Sequence, residues 1–306
     1  MLKKTKFQQS QVLDTRILPR LDVADTLLVY DRKILRAYPR FAKWKKQFPM
    51  AIAVDAGESL KDLRAFPRLL QAILQMTTGR SRASLKILAV GGGSVGDFAG
   101  FVASVLKRGV ALELIPSTWL AAIDSAHGGK TALNLPPFKN QIGSFYPAQK
   151  IYLVRELLLA QPEKLAWQAQ AELLKVGMLS GGRLWRDLNN GSRLNAQDTL
   201  LKFASQAIAA KWKVVKRDPY ELEGIRHILN LGHTLGHVLE GELGLSHGES
   251  VGQGLLFALE WSRDLAMLSW RDYYSCIEVM RRHGIERKPL KLSHKRLLVS
   301  LSQDKK

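Results

Sequence analysis

The sequence ILAVGGGSVGD, at residues 87–97, indicates how the first half of this chain folds. The apolar run Ile87–Val90 is typical of a buried parallel strand, and the helical spacing of Val95–Lys107 follows it closely. Glycines in the connecting turn allow a backbone to approach a phosphate, and a helix N-terminus offers unpaired N–H groups. A glycine-rich turn is weak evidence by itself, because such turns also serve backbone needs alone. We predict a strand–turn–helix unit that contacts a phosphate or a dinucleotide.

Short apolar runs alternate with helical runs on both sides of this unit. Further strands are predicted at Leu27–Tyr30, Ala51–Val54, Leu112–Ile115 and Ile151–Val154, and a further helix at Leu60–Gln75. From about Pro162 onward only helical spacing remains, at Leu165–Leu179, Leu200–Val215, Arg226–Leu243, Val251–Leu268 and Tyr273–His283. The pattern predicts an α/β dinucleotide-binding domain with a parallel sheet over residues 1–155 and an all-α domain over residues 156–306.

The composition is that of a globular protein, with 306 residues of which 46% are hydrophobic. The single cysteine, Cys276, permits no internal disulfide, which agrees with a reducing compartment. No run of about 18 apolar residues is present, and the N-terminal MLKKTKFQQSQVLDTR lacks the apolar core of a signal peptide. We therefore expect a cytoplasmic protein that has no membrane partner.

The formal net charge of +19 is unusually high for such a protein. Lysines and arginines are scattered along the chain, so the plain interpretation is a solvated basic surface. The alternatives are weak contact with nucleic acid or long-range attraction of an anionic substrate. The sequence has no zinc-finger spacing, no RNP-like aromatic motif and no clear helix-turn-helix, which argues against a nucleic-acid partner.

Four of the seven histidines fall within residues 225–254, a run that otherwise has apolar helical spacing. The candidate site residues of this run are Asn230, His233, His237, His247 and Glu249. His233 and His237 are four residues apart, so a helix would project both rings from one face. A lone histidine is more often bonded to a backbone carbonyl, but three with a carboxylate favour a divalent metal site. HTLGH differs from the HExxH of zinc proteases, so the site needs another carboxylate from elsewhere.

Polar residues are also spaced through the glycine-rich stretch 116–146. Lys130 and Lys139 in this stretch would anchor an anionic, polyhydroxylated ligand, although each lysine alone is typical of solvated surface. Further along, Glu172 and Lys175 lie three residues apart on one predicted helix face. That spacing is typical of an exposed ion pair.

Read in order, these stretches resemble the 3-dehydroquinate synthase family. The motifs that carry the resemblance are GGGSVGDFAGF, LKRG, PSTWLAAIDSAHGGKTALN, KNQIGSFY, AELLKVG, RHILNLGHTLGHVLE and HGESVGQG. They lie within a match that runs from about Asp31 to the C-terminus, which is nearly the whole chain. The resemblance implies an N-terminal dinucleotide-binding domain, a C-terminal α domain, a cleft that holds NAD and a divalent metal such as zinc or cobalt, and a homodimer.

The resemblance also implies roles for individual residues. The metal ligands would be Glu172, His233 and His247, which supplies the missing carboxylate. The NAD contacts would be Glu58, Lys61, Gly91, Gly92, Gly93, Ser94, Asp97, Ser117, Thr118 and Lys139. Residues that bind substrate or act in catalysis would be Asp124, Lys130, Asn140, Lys175, Lys211, Arg226, Asn230, His237 and, in the DKK that ends this short C-terminus, Lys305. Arg108 would reach the substrate phosphate of the neighbouring subunit.

The implied reaction converts 3-deoxy-D-arabino-heptulosonate 7-phosphate, an anionic sugar acid phosphate, into 3-dehydroquinate and phosphate in the shikimate pathway to aromatic amino acids. It combines transient oxidation by NAD, phosphate elimination, reduction and intramolecular aldol closure, so the enzyme is a lyase. Two alternatives stay open. One is a sister sugar-phosphate cyclase with another substrate, and the other is a catalytically impaired homologue that acts as a basic binding protein.

Overall fold

The computed structural model describes residues 7–191, 195–292 and 296–297. The chain divides into two compact units, Met1–Pro162 and Glu163–Lys306. All the strands that the structure describes lie in the first unit, and the described part of the second unit contains only helices and turns. The spacing of apolar residues predicts this separation of α/β structure from all-α structure.

A parallel sheet forms the centre of the first unit. The strands of this unit are β1 (Gln11–Thr15), β2 (Thr26–Asp31), β3 (Met50–Val54), β4 (Lys86–Gly91), β5 (Ala111–Pro116), β6 (Lys130–Leu135), β7 (Phe138–Phe145) and β8 (Lys150–Val154). Six of them form the sheet, in the order β1-β8-β5-β4-β2-β3, and every neighbouring pair is parallel. The five predicted strands are confirmed. They could be predicted because parallel strands that are covered on both faces are apolar throughout. The edge strand β1 was not predicted, since its sequence QVLDT is partly exposed and carries polar residues.

The helices of the first unit are α1 (Ile34–Ala37), α2 (Arg40–Trp44), α3 (Phe66–Met76), α4 (Gly93–Val105) and α5 (Arg155–Leu159). The predicted helix at residues 60–75 begins later than expected. Glu58–Lys61 form a separate 3-10 turn, and Pro67 in the first turn of α3 is tolerated only at a helix start.

The segment from Lys33 to Gln47 has one apolar face and one basic face. Ile34, Tyr38 and Phe41 are buried in the core against the sheet. The exposed side chains of the same segment include Lys33, Arg36, Arg40, Lys43 and Lys46, which we call the basic face. The periodic burial follows from amphipathic helical spacing.

The stretch 116–146 contains a hairpin. β6 and β7 pair antiparallel, with Lys130 opposite Phe145. The sequence pattern does not reveal these strands, because lysine, asparagine and other polar residues interrupt the apolar positions and because β7 is mostly exposed.

The described residues of the second unit form helices joined by turns and irregular segments. Its helices are α6 (Glu163–Ser180), α7 (Gly182–Asn190), α8 (Ala196–Arg217), α9 (His233–Leu243), α10 (His247–Asp264) and α11 (Trp270–Arg282). The prediction of one helix over residues 226–243 is wrong. Ile225–Asn230 form a 3-10 turn, and Gly232 takes a left-handed φ of 79° before α9 begins. Among the described residues, no helix has both the length and the apolar character needed to cross a membrane.

Candidate active site

Three helices of the second unit bring Glu172, His233 and His247 together. Glu172 lies within α6, and the two histidines open α9 and α10. The Nε2 atoms of His233 and His247 each lie 3.3 Å from Glu172 Oε1. The three candidate ligand atoms fall within 4.8 Å of one another, and no second cluster of this kind occurs in the described part of the chain.

The second nitrogen of each imidazole faces an acceptor. His233 Nδ1 lies 3.3 Å from the carbonyl oxygen of Leu231, and His247 Nδ1 lies 3.5 Å from Glu240 Oε2. Such partners hold a proton on Nδ1 and direct the Nε2 lone pair to a cation. Two imidazoles and one carboxylate form a donor set typical of catalytic zinc. The residues present therefore fit a divalent metal.

Glu172 is buried together with Lys175. Their side chains are 1% and 2% exposed, so the ion pair expected at the surface lies in the interior instead. Burial acts to raise the pKa of Glu172, but the Lys175 ammonium and hydrogen bonds from His233 and His247 hold this pKa well below its usual range. Burial also opposes a charge on His247, yet hydrogen bonds to Glu172 and Glu240 raise its pKa to about 10. A metal ion that binds here therefore displaces a proton.

Glycines allow these helices to approach closely. A Cβ on Gly248 would lie 2.1 Å from the carbonyl oxygen of Gln168 in α6. A Cβ on Gly254 would lie 1.9 Å from the carbonyl oxygen of Gly232, which precedes α9. No real side chain tolerates such distances, so α10 meets both partners backbone to backbone. The close crossings fix the helix ends that carry the two histidines.

Glu249, a carboxylate of the histidine-rich run, caps α10 instead of joining the cluster. Its Oε2 accepts hydrogen bonds from the backbone N–H and the hydroxyl of Ser246, at 3.2 and 2.6 Å. Its Oε1 pairs with Lys288 Nζ at 2.8 Å. Lys288 and Ser246 lower the pKa of Glu249 to about 2. This arrangement is a capping box, which stabilises the helix end that His247 occupies.

The residues expected to bind substrate lie on neighbouring elements of the second unit. Lys211 in α8 and Arg226 in the 3-10 turn are 6% and 3% exposed, and Asn230 ends that turn. His237 lies one helical turn beyond His233, and their ring centroids are 5.5 Å apart.

Asp218, which the sequence pattern does not single out, organises the segment before Arg226. Its carboxylate accepts hydrogen bonds from the backbone N–H groups of Leu222, Glu223 and Arg226, at 2.8, 3.2 and 3.3 Å. Arg226 Nη1 donates to the carbonyl oxygen of Pro219 at 3.0 Å. Burial acts to raise the pKa of Asp218, but the backbone donors lower it. The sequence feature that could have indicated this turn is the Asp-Pro pair that follows α8, because such pairs favour the start of a turn.

In the first unit, the predicted strand–turn–helix unit is present. Gly91 ends β4, and α4 begins at Gly93. The turn contributes to a pocket that is open to solvent and whose lining includes Pro116, Ser125 and Gly129. A helix N-terminus at such a pocket can bind a phosphate through backbone N–H groups.

A polar network beside this turn joins Glu58, Lys61, Asp97, Asn134 and Asn140. Lys61 Nζ lies 2.6 Å from Asp97 Oδ2 and also donates to Asn140 Oδ1. Asn134 Nδ2 donates to Glu58 Oε2 at 2.6 Å, and Asn134 Oδ1 accepts from the backbone N–H of Asn140 at 2.9 Å. Burial raises the pKa of Asp97, and Lys61 offsets this in part. Asn134 was missed because its importance depends on these distant partners.

Two family models cover most of the chain. Residues 51–168 match the model described as 3-dehydroquinate synthase N-terminal, and residues 169–306 match the one described as 3-dehydroquinate synthase C-terminal. The chain belongs to the 3-dehydroquinate synthase family. The resemblance indicated by its motifs is therefore confirmed.

Curated members of the 3-dehydroquinate synthase family resemble this chain over most of its length. The 3-dehydroquinate synthase of Methylacidiphilum infernorum is 35% identical over 261 residues, which are 84% of this chain and 71% of the relative. That of Shouchella clausii is 36% identical over 294 residues, covering 92% of this chain and 79% of the relative.

Solved structures of related cyclases share the fold. A 2-deoxy-scyllo-inosose synthase in complex with carbaglucose-6-phosphate, NAD+ and Co2+ superimposes with a TM-score of 0.82 and 24% identity, over 97% of this chain and 86% of the other. The 2-epi-5-epi-valiolone synthase of Streptomyces hygroscopicus, with NAD+ and Zn2+ bound, gives a TM-score of 0.79 and 20% identity, over 99% and 88% of the two chains.

The other residues that the sequence motifs predict to bind NAD or substrate lie at separate points of the first unit. Ser94 Oγ accepts from the N–H of Gly57 at 3.0 Å, Thr118 Oγ1 accepts from the N–H of Ala121 at 3.2 Å, and Ser117 is buried. Asp124 is half-buried, whereas Lys130 and Lys139 are exposed on the hairpin. Arg108 is exposed and has a left-handed φ of 66°. Lys305 lies outside the described residues.

Proposed function

We propose that this chain is a 3-dehydroquinate synthase, which converts 3-deoxy-D-arabino-heptulosonate 7-phosphate into 3-dehydroquinate and phosphate. The observation that carries the proposal is the cluster of Glu172, His233 and His247, two of them buried and His247 half-buried, in a chain that belongs to this family. Identity of 35% to a curated synthase over 84% of the chain supports this substrate over that of a sister cyclase.

We assign the cluster to a divalent metal, zinc or cobalt, and the glycine-rich turn to NAD. The donor set supports the first assignment, and the helix N-terminus at the pocket supports the second. When bound, the metal supplies a Lewis acid for substrate hydroxyl oxygens and NAD supplies a reversible hydride acceptor. Glu58, Lys61, Ser94 and Asp97, with Ser117, Thr118 and Lys139, are the proposed NAD contacts.

Cationic side chains of the second unit match the charge of the proposed substrate. Lys211 and Arg226 are almost fully buried, so either would form strong charge-assisted hydrogen bonds with a carboxylate or a phosphate. Asn230 offers an amide to the same groups, and Lys175 forms an ion pair with Glu172. His237 can accept or donate a proton at an imidazole nitrogen, as phosphate elimination and ring opening require.

The first unit would supply further substrate contacts. We propose that Asp124, Lys130 and Asn140 bind the sugar, and that Lys305 binds its phosphate. Arg108 is exposed and held in a left-handed turn, which supports a contact with the phosphate of a neighbouring subunit in a cytoplasmic homodimer.

The decisive experiment is an incubation of the purified protein with NAD, zinc and the heptulosonate phosphate. We expect inorganic phosphate and 3-dehydroquinate to appear in equal amounts, with no net formation of NADH. A hexose 6-phosphate and a heptulose 7-phosphate that lacks the carboxylate serve as comparison substrates. Phosphate release from one of these, but not from the heptulosonate phosphate, would replace the proposal with a sister cyclase. No turnover of any substrate, with nucleic-acid binding that weakens steeply with salt, would favour a basic binding protein.

A further inference from the structure

Asn134 uses its side-chain amide in two directions at once. It lies in β6 and is 6% exposed. Its Nδ2 donates to Glu58 Oε2 at 2.6 Å, and its Oδ1 accepts from the backbone N–H of Asn140 at 2.9 Å. Its own carbonyl oxygen accepts from the N–H of Leu63 at 2.8 Å. Asn134 therefore ties β6 both to the turn at residues 58–63 and to β7.

The chemistry of the two partners requires an amide at this position. The Glu58 carboxylate only accepts hydrogen bonds, and a backbone N–H only donates them. Asn134 supplies a donor to the first partner and an acceptor to the second. An aspartate would supply acceptors alone, and a leucine would supply neither group.

The bond to Asn140 also supports an unusual backbone conformation. Asn140 has a φ of 55°, in the left-handed region that side chains seldom adopt. Such a conformation persists where the surrounding structure determines it strongly. With its backbone held by Asn134, Asn140 presents Oδ1 to Lys61 Nζ, which also pairs with Asp97.

We infer that Asn134 is a positioning residue that holds Glu58 for NAD and Asn140 for the sugar phosphate. The inference rests on the proposed function, which assigns those ligands to Glu58 and Asn140. Asn134 itself touches neither ligand in this account. It acts because one buried amide sets the orientation of two binding groups on different segments.

The substitution Asn134→Asp tests separately the two arms of Asn134, which are the donor arm to Glu58 and the acceptor arm to Asn140. It keeps the acceptor for the Asn140 N–H but places a carboxylate against Glu58 Oε2. We expect NAD affinity, measured by calorimetry, to fall by at least about tenfold because like charges repel at hydrogen-bond distance. Metal content and the KM for the sugar phosphate should change by less than about twofold, since the acceptor arm is kept.

A second substitution should restore the pair. In the variant Asn134→Asp with Glu58→Gln, the new amide at position 58 donates to the new carboxylate at position 134. Glu58→Gln is measured separately, because Glu58 is itself a proposed NAD contact. We expect the double variant to bind NAD at least about tenfold more tightly than the two single losses together predict. A purely structural role for Asn134 predicts no such coupling. Additive losses of NAD affinity in the double variant would overturn the inference.

Asn134→Leu covers the case in which Asn134→Asp does not fold. Leucine has similar size and leaves no unpaired polar group of its own. We expect weaker NAD binding together with a higher KM, because both arms are lost. Unchanged values in folded Asn134→Leu would refute the positioning role. A wild-type protein that binds NAD but does not consume the heptulosonate phosphate would refute the proposed function alone, because the calorimetric comparison needs no turnover.

Discussion

At the scale of single residues, the chemistry of the second unit centres on one carboxylate. Glu172 Oε1 faces two imidazoles, and its other oxygen faces Lys175. A buried carboxylate without partners would be neutral, whereas this one stays ionised because cationic groups surround it. The site therefore combines an ionised carboxylate, which suits a divalent cation, with cationic neighbours, which suit an anionic ligand.

We predict that His233→Ala and His247→Ala each remove most of the bound metal while the protein stays folded. Each change deletes one imidazole donor, and two remaining ligands hold a divalent ion weakly. Glu172→Gln should have the same effect and keep a neutral side chain beside Lys175. Elemental analysis after dialysis measures the metal, and His227→Ala, at an exposed position, is the control. Full metal occupancy in all three variants would contradict the assignment.

We predict that Asp218 stabilises the folded protein at neutral pH and that this stabilisation is lost in acid. Backbone donors lower its pKa below 3.8, so its contribution is complete above that pH and is lost as the pH falls through the lowered value. Asp218→Asn keeps the acceptor but removes the charge. The difference in unfolding free energy between wild type and variant, from urea titrations, should be constant at neutral pH and shrink as the pH falls below 3.8. The control is Asp55→Asn, at a residue with a 77% exposed side chain. An equal pH dependence of the unfolding free-energy difference in both variants would refute the prediction.

The sequence predicts part of this site from the residues alone and part only from the family. The histidine-rich run is visible because His233 and His237 share a helical spacing. The carboxylate is not visible in the same way, since Glu172 reaches His247 only through the packing of α6 against α10. Glu249, next to the histidines in sequence, caps the helix instead. Sequence neighbours are therefore a poor guide to which carboxylate completes a cluster built from three helices.

At the scale of elements, short connections and close crossings decide the geometry. Apolar runs predict the parallel strands and most helices, because burial on both faces or on one stripe leaves a clear period. The hairpin β6–β7 and the break at Gly232 were not predicted. The hairpin has little apolar character, and the break depends on a left-handed residue inside a helical period. Both features carry candidate site residues.

We predict that Gly254→Ala destabilises the second unit and lowers its metal content. The added Cβ would lie 1.9 Å from the carbonyl oxygen of Gly232, so α10 must shift away from the start of α9. Overpacking of this kind costs about 1–3 kcal/mol. Gly241→Ala is the matched control, because its Cβ meets nothing within 4 Å in α9 and should stabilise by about 0.5–1 kcal/mol. Denaturant unfolding and metal analysis of both variants test this prediction. Equal changes in stability and metal content for Gly254→Ala and Gly241→Ala would contradict the claim that the close approach of α10 to Gly232 requires a glycine.

At the scale of the whole molecule, the dominant feature is the net charge of +19. The basic face of the first unit concentrates part of that charge on exposed side chains. The proposed substrate carries a carboxylate and a phosphate, so its encounter with the protein should be favoured over long distances. This charge has no role in specifying the fold.

We predict that kcat/KM for the heptulosonate phosphate falls as salt rises, while kcat changes little. The Debye length shrinks from about 10 Å at 0.1 M to about 3 Å at 1 M, so attraction from distant lysines is screened first. Replacing Lys33, Lys43 and Lys46 of the basic face by Glu should flatten this dependence without changing kcat. Stopped assays across the salt range measure both parameters. A salt-independent kcat/KM in the wild type would show that substrate capture is not electrostatically steered.

The order of the three metal-ligand helices along the chain also sets when metal can be captured during protein synthesis. Glu172 emerges from the ribosome first, and the last ligand, His247, opens a later helix that must dock through Gly248 and Gly254. A growing chain therefore has no complete site until α10 is made and packed, and domains fold as units in this way. Metal supply in the cell then acts on a finished helical unit. Cells grown without zinc should accumulate folded apoprotein that later zinc addition activates without new synthesis.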